Sequence, residues 1–423
     1  MQTGRAEISI NIDPSSCNVM LSEKGLQRRI KRHINAQKQC FYAIVHPGFE
    51  QTARRELETI GISDIESIIT GGIEFSGKLD DCYRVNLCAH TISRLLMRLF
   101  RFRTTRLETF RRRIRNFPWE LYLSTTSPVS FSISCHRSRL HHTSRLEGEA
   151  FAGIGERIEK LGMQIDLYHG DEKFRNAQVI FVRFDGDRCQ ISLDTSGELL
   201  YHRGYSADYQ KLIAEAPLRE TIAASILLEA QLHQYDMLID PMCGSGTFCI
   251  EAGALFSRRL PGIERDFAFR QWPAFRERAF NYLKKSLSGT TGLPSAALGK
   301  KIICSDRDQR AVSLARENIK RAAPGMSIEI QRRDFFEEKI PIPHDKKALI
   351  VMNPSYGTRL PLPDLKRHYR KIGTTIRDFY HKCGYAIIVP GIEPEKALSL
   401  PSHRKIAFSH GGIGVAVLIR EGF

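Results

Sequence analysis

Apolar and polar positions near the start of the chain alternate in a pattern that predicts a small α+β unit. Residues 41–45 are an apolar run typical of a strand, and apolar side chains recur at helical spacing through residues 49–60. Two further apolar runs, at 65–69 and 73–75, flank Gly71-Gly72 and predict a hairpin. The pattern therefore indicates a unit over about residues 39–80, and nothing in it suggests chemistry.

A second set of elements follows this unit. A predicted strand at 129–135 precedes a helical stretch at 144–161. Two more strands, at 178–184 and 188–193, are separated by an Asp-Gly-Asp turn and predict a hairpin. Residues 206–216 have the character of a linker.

From residue 218 onward strands and helices alternate, which is typical of a mostly parallel, doubly wound sheet. The first helix is predicted to be amphipathic, and residues 258–300 to be a long irregular insertion. The predicted helices lie at 218–232, 248–256, 308–322 and 364–383, and the predicted strands at 237–239, 301–304, 327–330, 348–352, 385–389 and 415–419.

Charge and cysteine usage indicate the kind of partner and the cellular compartment. The 63 Lys and Arg residues against 47 Asp and Glu give a formal net charge of +16, which favours a polyanionic partner such as nucleic acid. The ten cysteines form no CxxC pair, so we expect free thiols in a reducing compartment and no metal site. No apolar run reaches the ~18 residues of a membrane span, and we expect a soluble, cytoplasmic protein with no membrane partner.

The positive charge is concentrated between residues 94 and 115, where nine arginines face a single acid, Glu108. Guanidinium groups suit phosphate oxygens, so this segment predicts RNA contact, although an ordinary solvated helix face would look similar. The first 38 residues are polar with a basic cluster at 28–32, which predicts a poorly ordered basic extension. The arginines expected to contact RNA are Arg101, Arg103, Arg111, Arg112, Arg113, Arg137 and Arg203.

A glycine turn at 240–247, Asp-Pro-Met-Cys-Gly-Ser-Gly-Thr, follows the strand at 237–239 and precedes a helix. This arrangement is typical of a ligand site at the carboxyl end of a strand. A dinucleotide is one possible ligand, but Cys249 occupies the third glycine position and Asp240 would repel a pyrophosphate. The carboxylate instead suits a ligand with a cationic end, such as the ammonium group of S-adenosyl-L-methionine.

Two more acids stand at the ends of the next strands. Asp306 could accept hydrogen bonds from two ribose hydroxyls, and Asp334 could meet an adenine amino group, although either residue alone could equally be a helix cap or a solvated turn. Three acids at successive strand ends beside a glycine turn favour S-adenosylmethionine.

The loop Asn353-Pro354-Ser355-Tyr356-Gly357 comes directly after the apolar strand at 348–352. The Asn353 side-chain oxygen and the Pro354 carbonyl could each accept one N–H of an exocyclic amino group and aim its lone pair at a methyl donor. Tyr356 could stack on a base rotated out of its helix. The alternative is a turn that simply ends the strand.

Four motifs together resemble the bacterial THUMP-domain RNA guanine-N2 methyltransferases, and most closely the members that act on 23S ribosomal RNA. They lie at 216–224, 240–247, 305–308 and 353–357. The resemblance implies an α/β fold: a Rossmann-like methyltransferase domain over 206–423, preceded by a ferredoxin-like unit over 39–81 and a THUMP RNA-binding domain over 82–205. It also implies that the cofactor residues are Asp240, Pro241, Cys243, Gly244, Gly246, Thr247, Asp306 and Asp334, and that the target guanine meets Asn353, Pro354 and Tyr356.

The chain departs from the family pattern at Ser355, where the family usually has a second proline, and we still expect activity because the Asn oxygen and the preceding carbonyl remain. Residues 1–38 have no counterpart in the family. The single predicted catalytic domain implies that a second activity is absent. Transfer RNA guanine-N2 methylation, adenine-N6 methylation and an inactive RNA-binding assembly factor stay open as alternatives, as does free RNA against an assembling large subunit as substrate.

Overall fold

The computed structural model describes residues 22–168, 177–203, 218–288, 298–322, 326–356 and 362–422. The predicted linker at 206–216 lies outside these residues. The chain divides into two compact units: a smaller one of residues 1–37, 101–191 and 271–274, and a larger one of residues 38–100, 192–270 and 275–423. The elements of the ferredoxin-like prediction thus group with the catalytic part of the chain, and the predicted domain limits stay a prediction.

In the smaller unit the basic N-terminal segment forms a helix, α1 (Glu23–Ile30), which continues as a π-helical turn over Lys31–Asn35. Ile30 and Ile34 lie four residues apart and are both buried. The expectation of poor order was therefore wrong for these residues, because two apolar side chains on one helix face anchor a segment whose charge dominates its composition. Residues 1–21 lie outside the described part.

The larger unit begins with the α+β elements predicted from the first half of the chain. Its strand order is β2-β3-β1-β4, and β1 is antiparallel to both β3 and β4. The predicted strand, helix and hairpin are confirmed, and a further helix, α3, and a long strand, β4, complete the set. The elements are β1 (Gln39–Val45), α2 (Glu50–Thr59), β2 (Ile65–Ile69), β3 (Gly72–Gly77), α3 (Leu79–Cys88) and β4 (Ile92–Arg103).

The smaller unit packs two helices and the strand run β7-β6-β5 around buried aromatic side chains. Helices α4 and α5 approach closely at Gly153, where an added Cβ would lie 3.0 Å from Ile114 Cγ2. Strands β5 and β6 are parallel, with Val129 paired to Gln178. The elements are α4 (Leu107–Asn116), β5 (Val129–His136), α5 (Thr143–Glu159), β6 (Gln178–Asp185) and β7 (Arg188–Asp194).

The second half of the chain forms a seven-stranded sheet with the order β10-β9-β8-β11-β12-β14-β13. The first five strands are parallel, and β14 is antiparallel to both β12 and β13. The elements are α6 (Glu220–Glu229), β8 (Met237–Asp240), α7 (Thr247–Ser257), α8 (Glu277–Ser288), β9 (Lys301–Asp306), α9 (Gln309–Ala322), β10 (Glu329–Arg332), β11 (Ala348–Met352), α10 (Leu362–Phe379), β12 (Gly384–Val389), α11 (Ile392–Leu398), β13 (Arg404–His410) and β14 (Ile413–Arg420). The doubly wound prediction is confirmed, and its unpredicted additions are α8, α11 and β13.

Burial explains two further differences from the sequence pattern. Helix α6 was predicted to be amphipathic, but Thr221, Ser225 and Glu229 are buried together with its apolar residues. The predicted irregular insertion contains α8, whose Phe280 packs edge-on against Tyr83 at 5.6 Å between ring centroids. In both places a polar or irregular sequence is covered by elements distant along the chain. Among the described residues, no helix is both long and apolar enough to cross a bilayer.

Candidate active site

The strand order places the predicted site residues side by side along one edge of the second sheet. Asp240 and Asp306 are the last residues of β8 and β9, Asp334 lies two residues beyond β10, and Asn353 immediately follows β11. Because β9 and β11 flank β8 on opposite sides, the direction of winding reverses between β8 and β11. Ligands of open α/β sheets bind at such switch points.

The glycine turn takes backbone angles that favour glycine. Gly244 and Gly246 have φ values of +52° and +82°, and Gly246 is the residue before the first turn of α7. A Cβ added to Gly246 would lie 3.3 Å from Ala315 Cβ on α9, whereas one added to Gly244 would meet nothing within 4 Å. Gly246 is thus needed for helix packing, and Gly244 faces open space where a ligand can approach the backbone.

Hydrogen bonds within the protein hold this turn in place. The Gly246 amide donates to Cys243 O at 2.8 Å, and the Cys243 amide donates to Ser305 O at 3.0 Å. Asn318 Nδ2 donates to Ser245 O at 3.0 Å. The turn therefore keeps its shape without help from a ligand.

The other predicted residues of the turn line its buried side. Thr247 is buried, and its hydroxyl lies 3.3 Å from that of Ser245. The Cys243 thiol is also buried, and contact with the Cys304 thiol together with burial raises its pKa well above the usual range. Cys243 therefore stays a neutral thiol, which is unsuited to nucleophilic attack.

Asp240 and Asp306 are carboxyl groups at neighbouring strand ends, and they differ in burial. Asp240 is 2% exposed, and its Oδ1 accepts a long 3.3 Å hydrogen bond from the Met242 amide. Burial raises the pKa of Asp240 well above its usual range, and the charge of Asp306 raises it further. A cation bound beside Asp240 would relieve this unfavourable burial of charge.

Asp306 and Asp334 each also accept hydrogen bonds from backbone amides of turns, which was the alternative to ligand binding. Asp306 Oδ2 accepts from the Gly244 amide at 3.1 Å, and Oδ1 accepts from the Asp308 amide at 3.0 Å. Asp334 Oδ1 accepts from the Phe336 amide at 2.8 Å. A carboxylate oxygen has two acceptor sites, so these bonds leave capacity for a ligand.

The Asn353 loop contains an acceptor that the described part of the protein leaves unused. Asn353 Oδ1 is buried, and within the described ranges it has no hydrogen-bond partner. Pro354 is buried beside it, while Ser355 is exposed. An unpaired buried acceptor costs roughly 1–3 kcal/mol, so its position at the switch point indicates a ligand that supplies the missing donor.

Tyr356 has a contact that the sequence did not predict. Its hydroxyl lies 2.5 Å from Nδ1 of His410, the last residue of β13. His410 is 7% exposed, and the two rings meet edge-on at 6.1 Å. In the sequence, the feature that could have drawn attention to His410 is its position directly before the turn Gly411-Gly412.

The predicted RNA-contacting arginines do not all lie on a surface. Arg203 is 3% exposed and donates to both carboxylate oxygens of Glu251, at 3.0 and 2.8 Å. Its predicted role in RNA contact is therefore wrong, since a buried guanidinium fixed by a carboxylate cannot meet a phosphate. Arg111 is bound to Glu156. Five members of the set are exposed, namely Arg101, Arg103, Arg112, Arg113 and Arg137.

The segment of nine arginines is thus divided between internal pairing and surface charge. Arg94 pairs with Asp194, and Arg98 pairs with Glu74 at 3.1 Å and lies over the Tyr42 ring. The excess of arginine over acid in the local sequence disappears where acids from elsewhere in the chain approach. In the portion of the chain covered by the structure, no group of three or more His, Cys, Asp or Glu side chains is placed to hold a metal ion.

Comparison with known proteins matches both parts of the chain. A family model described as RMKL-like, methyltransferase domain matches residues 207–418, and one described as RlmL ferredoxin-like domain matches residues 40–96. The ribosomal RNA large subunit methyltransferase K/L of Syntrophotalea carbinolica is 27% identical over 394 residues, which are 89% of this chain and 53% of that protein. The chain thus spans about half the length of this relative.

Two further matches cover nearly the whole of the compared protein. A candidate RNA methyltransferase of Synechocystis is 26% identical over 393 residues, 92% of this chain and 98% of that protein. The crystal structure of SMU.472, a candidate methyltransferase complexed with SAH, has a TM-score of 0.79 and 22% identity, and covers 92% of this chain and 99% of that one. That likeness confirms the fold, and the family model, which spans half of the chain, confirms the resemblance: the chain belongs to the RMKL-like methyltransferase family.

Proposed function

We propose that this protein transfers the methyl group of S-adenosylmethionine to the exocyclic N2 of a guanine in RNA, with 23S ribosomal RNA as the substrate. The observation that carries the proposal is the buried acceptor Asn353 Oδ1, which has no partner among the described residues and lies across the switch point from the glycine turn. An amino group is a donor that fits this acceptor. The methyl donor fits the other side of the same edge.

The residues at the carboxyl ends of β8 to β10 suit S-adenosylmethionine. The buried Asp240 would hold the ammonium group, and the open face of Gly244 would admit the methionine end close to the backbone. Asp306 and Asp334 would accept hydrogen bonds from the ribose and the adenine. When bound, the cofactor supplies an electrophilic methyl group on a positively charged sulfur.

The protein's own contribution to transfer is orientation of the amino group. The lone pair of an exocyclic amine is delocalised into the base, so the nitrogen is a poor nucleophile. Acceptance of one N–H by Asn353 Oδ1 and of the other by the Pro354 carbonyl would favour tetrahedral nitrogen and direct its lone pair. No general base is needed before transfer, because the amine becomes acidic only after methylation.

The target guanine must be unpaired to reach this loop. A guanine N2 in a duplex lies within the stack, so it must be rotated out or presented in a single strand. Stacking on the Tyr356 ring would hold the rotated base against Asn353. The exposed arginines of α4 would contribute phosphate contacts to the RNA.

The choice of ribosomal RNA rests on the relatives. The K/L proteins of Syntrophotalea carbinolica and Methylococcus capsulatus are both named as ribosomal RNA large subunit methyltransferases, and this chain spans 53% and 47% of them. Guanine N2 in transfer RNA and adenine N6 remain competing targets, because the same loop could hold either amino group.

Purified protein incubated with labelled S-adenosylmethionine tests the proposal against these competitors. Separate reactions would contain unmodified 23S ribosomal RNA, transfer RNA, and large subunits from a strain that lacks the gene, followed by nucleoside mass spectrometry. We expect N2-methylguanosine in the ribosomal RNA. Label confined to transfer RNA, or N6-methyladenosine as the product, would contradict the proposal, and absence of cofactor binding by calorimetry would favour the inactive assembly factor.

A further inference from the structure

We propose that His410 is a positioning residue of the target-base site, and that its imidazole fixes the ring of Tyr356 for stacking. The inference rests on the proposed function, because Tyr356 is assigned to the target base there. The geometry itself does not depend on which base or RNA is methylated.

Strand register places His410 at the edge of the sheet where the site lies. Strand β12 is parallel to β11, so both end at the edge that carries Asn353. Val389, the last residue of β12, pairs with Ala416 near the start of β14, and His410 pairs with Ile413 across the β13–β14 turn. The turn of this hairpin therefore lies at the same edge as the Asn353 loop.

The hairpin turn is built to present His410 at a defined position. Gly411 and Gly412 have φ values of +58° and +80°, the pair of positive values that a two-residue hairpin turn matched to strand twist requires. The turn thus keeps His410 in register as the last residue of β13. Ser409, the preceding residue, is exposed, whereas His410 points to the opposite face and is buried.

The contact between the two side chains constrains Tyr356 at its far end. The hydroxyl lies 2.5 Å from Nδ1 of His410, and the ring packs at the margin of the apolar core under the sheet. A ring fixed at its hydroxyl and along one side keeps one orientation before a base arrives. Such preorganisation raises the rate of a reaction that needs accurate placement of the base.

Strand β13 is also held in place by ferredoxin-like elements of the same unit. His46 Nε2 bonds to Ser409 O at 2.8 Å, and the Phe49 ring packs against Phe408 at 5.3 Å. At Gly48 an added Cβ would lie 2.5 Å from Ala407 O, so only glycine allows this approach. Three consecutive residues before His410 are therefore fixed, and His410 is a firm support for Tyr356.

A double-mutant cycle tests the inference. The variants are His410→Ala, Tyr356→Phe and their combination, assayed for kcat and KM with ribosomal RNA and for cofactor affinity by calorimetry. We expect each single change to lower kcat roughly 10-fold, and the double variant to be no worse than either single variant, because both changes remove one interaction. Cofactor affinity should not change.

Two further variants separate positioning from general destabilisation. His410→Asn keeps a polar group where Nδ1 stands and should recover a large part of kcat. His403→Ala removes an exposed histidine next to the same strand and should have no effect. Losses that multiply in the double variant, or an Asn variant as slow as the Ala variant, would overturn the inference.

A measurement without turnover keeps this inference distinct from the proposed function. In nitrogen-15 spectra of histidine-labelled protein, the resonance that His410→Asn removes should shift in Tyr356→Phe. A resonance that does not shift overturns the inference even if methyl transfer is normal. Wild-type protein that transfers no methyl group to RNA contradicts the proposed function, and the spectra still decide whether His410 holds Tyr356.

Discussion

The two loops that meet at the switch point satisfy their polar groups in opposite ways. In the glycine turn after β8, backbone groups of Cys243, Gly244 and Ser245 bond to Ser305, Asp306 and Asn318 outside the turn, and the Gly246 amide bonds to Cys243 O within it. In the loop after β11, the Asn353 oxygen is buried and lacks a partner among the residues that the structure describes. The glycine turn is thus held by bonds within the protein, whereas the Asn353 oxygen finds no donor in the described part of the chain.

This difference indicates how the two ligands are treated. A turn that the protein holds in one shape offers a ready cradle to a cofactor, which must be bound in every cycle whatever the RNA. An unpaired acceptor stabilises only a ligand whose hydrogen-bond donor lies within its reach, so it discriminates between bases. The glycine turn would therefore provide affinity, and the Asn353 loop selectivity and rate.

The largest expected effect comes from Asn353→Ala, which removes the unpaired acceptor. We expect kcat to fall roughly 100-fold or more, as for the loss of one oriented polar group in a transition state. Cofactor affinity should be unchanged, because the glycine turn is intact. Single-turnover kinetics measure the rate, and calorimetry measures the cofactor affinity. The matched control is Ser355→Ala, which removes an exposed hydroxyl from the same loop. Normal turnover in Asn353→Ala would refute the assigned role.

The next effect concerns Asp240→Asn, on the cofactor side. Loss of one charge-assisted hydrogen bond should weaken S-adenosylmethionine binding about 10-fold. The wild-type affinity should also fall as the pH is lowered, because the pKa of Asp240 is raised by burial and the protonated carboxyl cannot attract a cation. Calorimetry over a range of pH measures both effects. Asp240→Asn should lose this pH dependence, and a variant that keeps it would assign the titration to another group.

A matched pair of glycine substitutions tests whether the turn is self-supporting. Gly244→Ala and Gly246→Ala both place a side chain at positive φ, but only the second meets a neighbour, Ala315, at 3.3 Å. We expect Gly246→Ala to lower the free energy of unfolding by about 1 kcal/mol more than Gly244→Ala. Gly244→Ala should instead weaken cofactor binding. Thermal and denaturant unfolding with calorimetry compare the two, and equal stability losses would contradict the packing role of Gly246.

The smallest effect extends the contrast to the arginines of α4. Arg111 is bound to Glu156, whereas Arg112 and Arg113 are exposed and make no ion pair with any residue that the structure covers. Replacement of Arg112 and Arg113 by Ala should weaken RNA binding a few-fold and reduce the slope of log affinity against log salt by about 1.4, for two lost phosphate contacts. Arg111→Ala should change this slope less. Filter binding at several salt concentrations measures the slope. An unchanged slope in the double variant would show that the exposed side of α4 is an ordinary solvated face without RNA contact.

Local sequence was sufficient where local chemistry decides the structure. The apolar strand that ends at Asp240, the one that ends just before Asn353, and the turn at Gly244 and Gly246 were predictable, because strand burial and positive φ are properties of short segments. Arg203 was not predictable, because its partner Glu251 lies 48 residues away. His410 needed the register of a hairpin that β13 forms with β14, and β13 itself has exposed positions that weaken its apolar signal.

The buried pair of Arg203 and Glu251 bears on how this protein can be divided. Arg203 lies before the region matched as the methyltransferase domain, residues 207–418, while Glu251 lies within it on α7. Arg203 also bonds to His90 O, in the ferredoxin-like part. A fragment cut at the family boundary would lose both Arg203 and His90 from the surroundings of Glu251; in the intact chain, removing one partner of such a buried pair costs about 3–5 kcal/mol. The segment matched as a catalytic domain therefore has one of its buried charges neutralised by a residue outside its own limits.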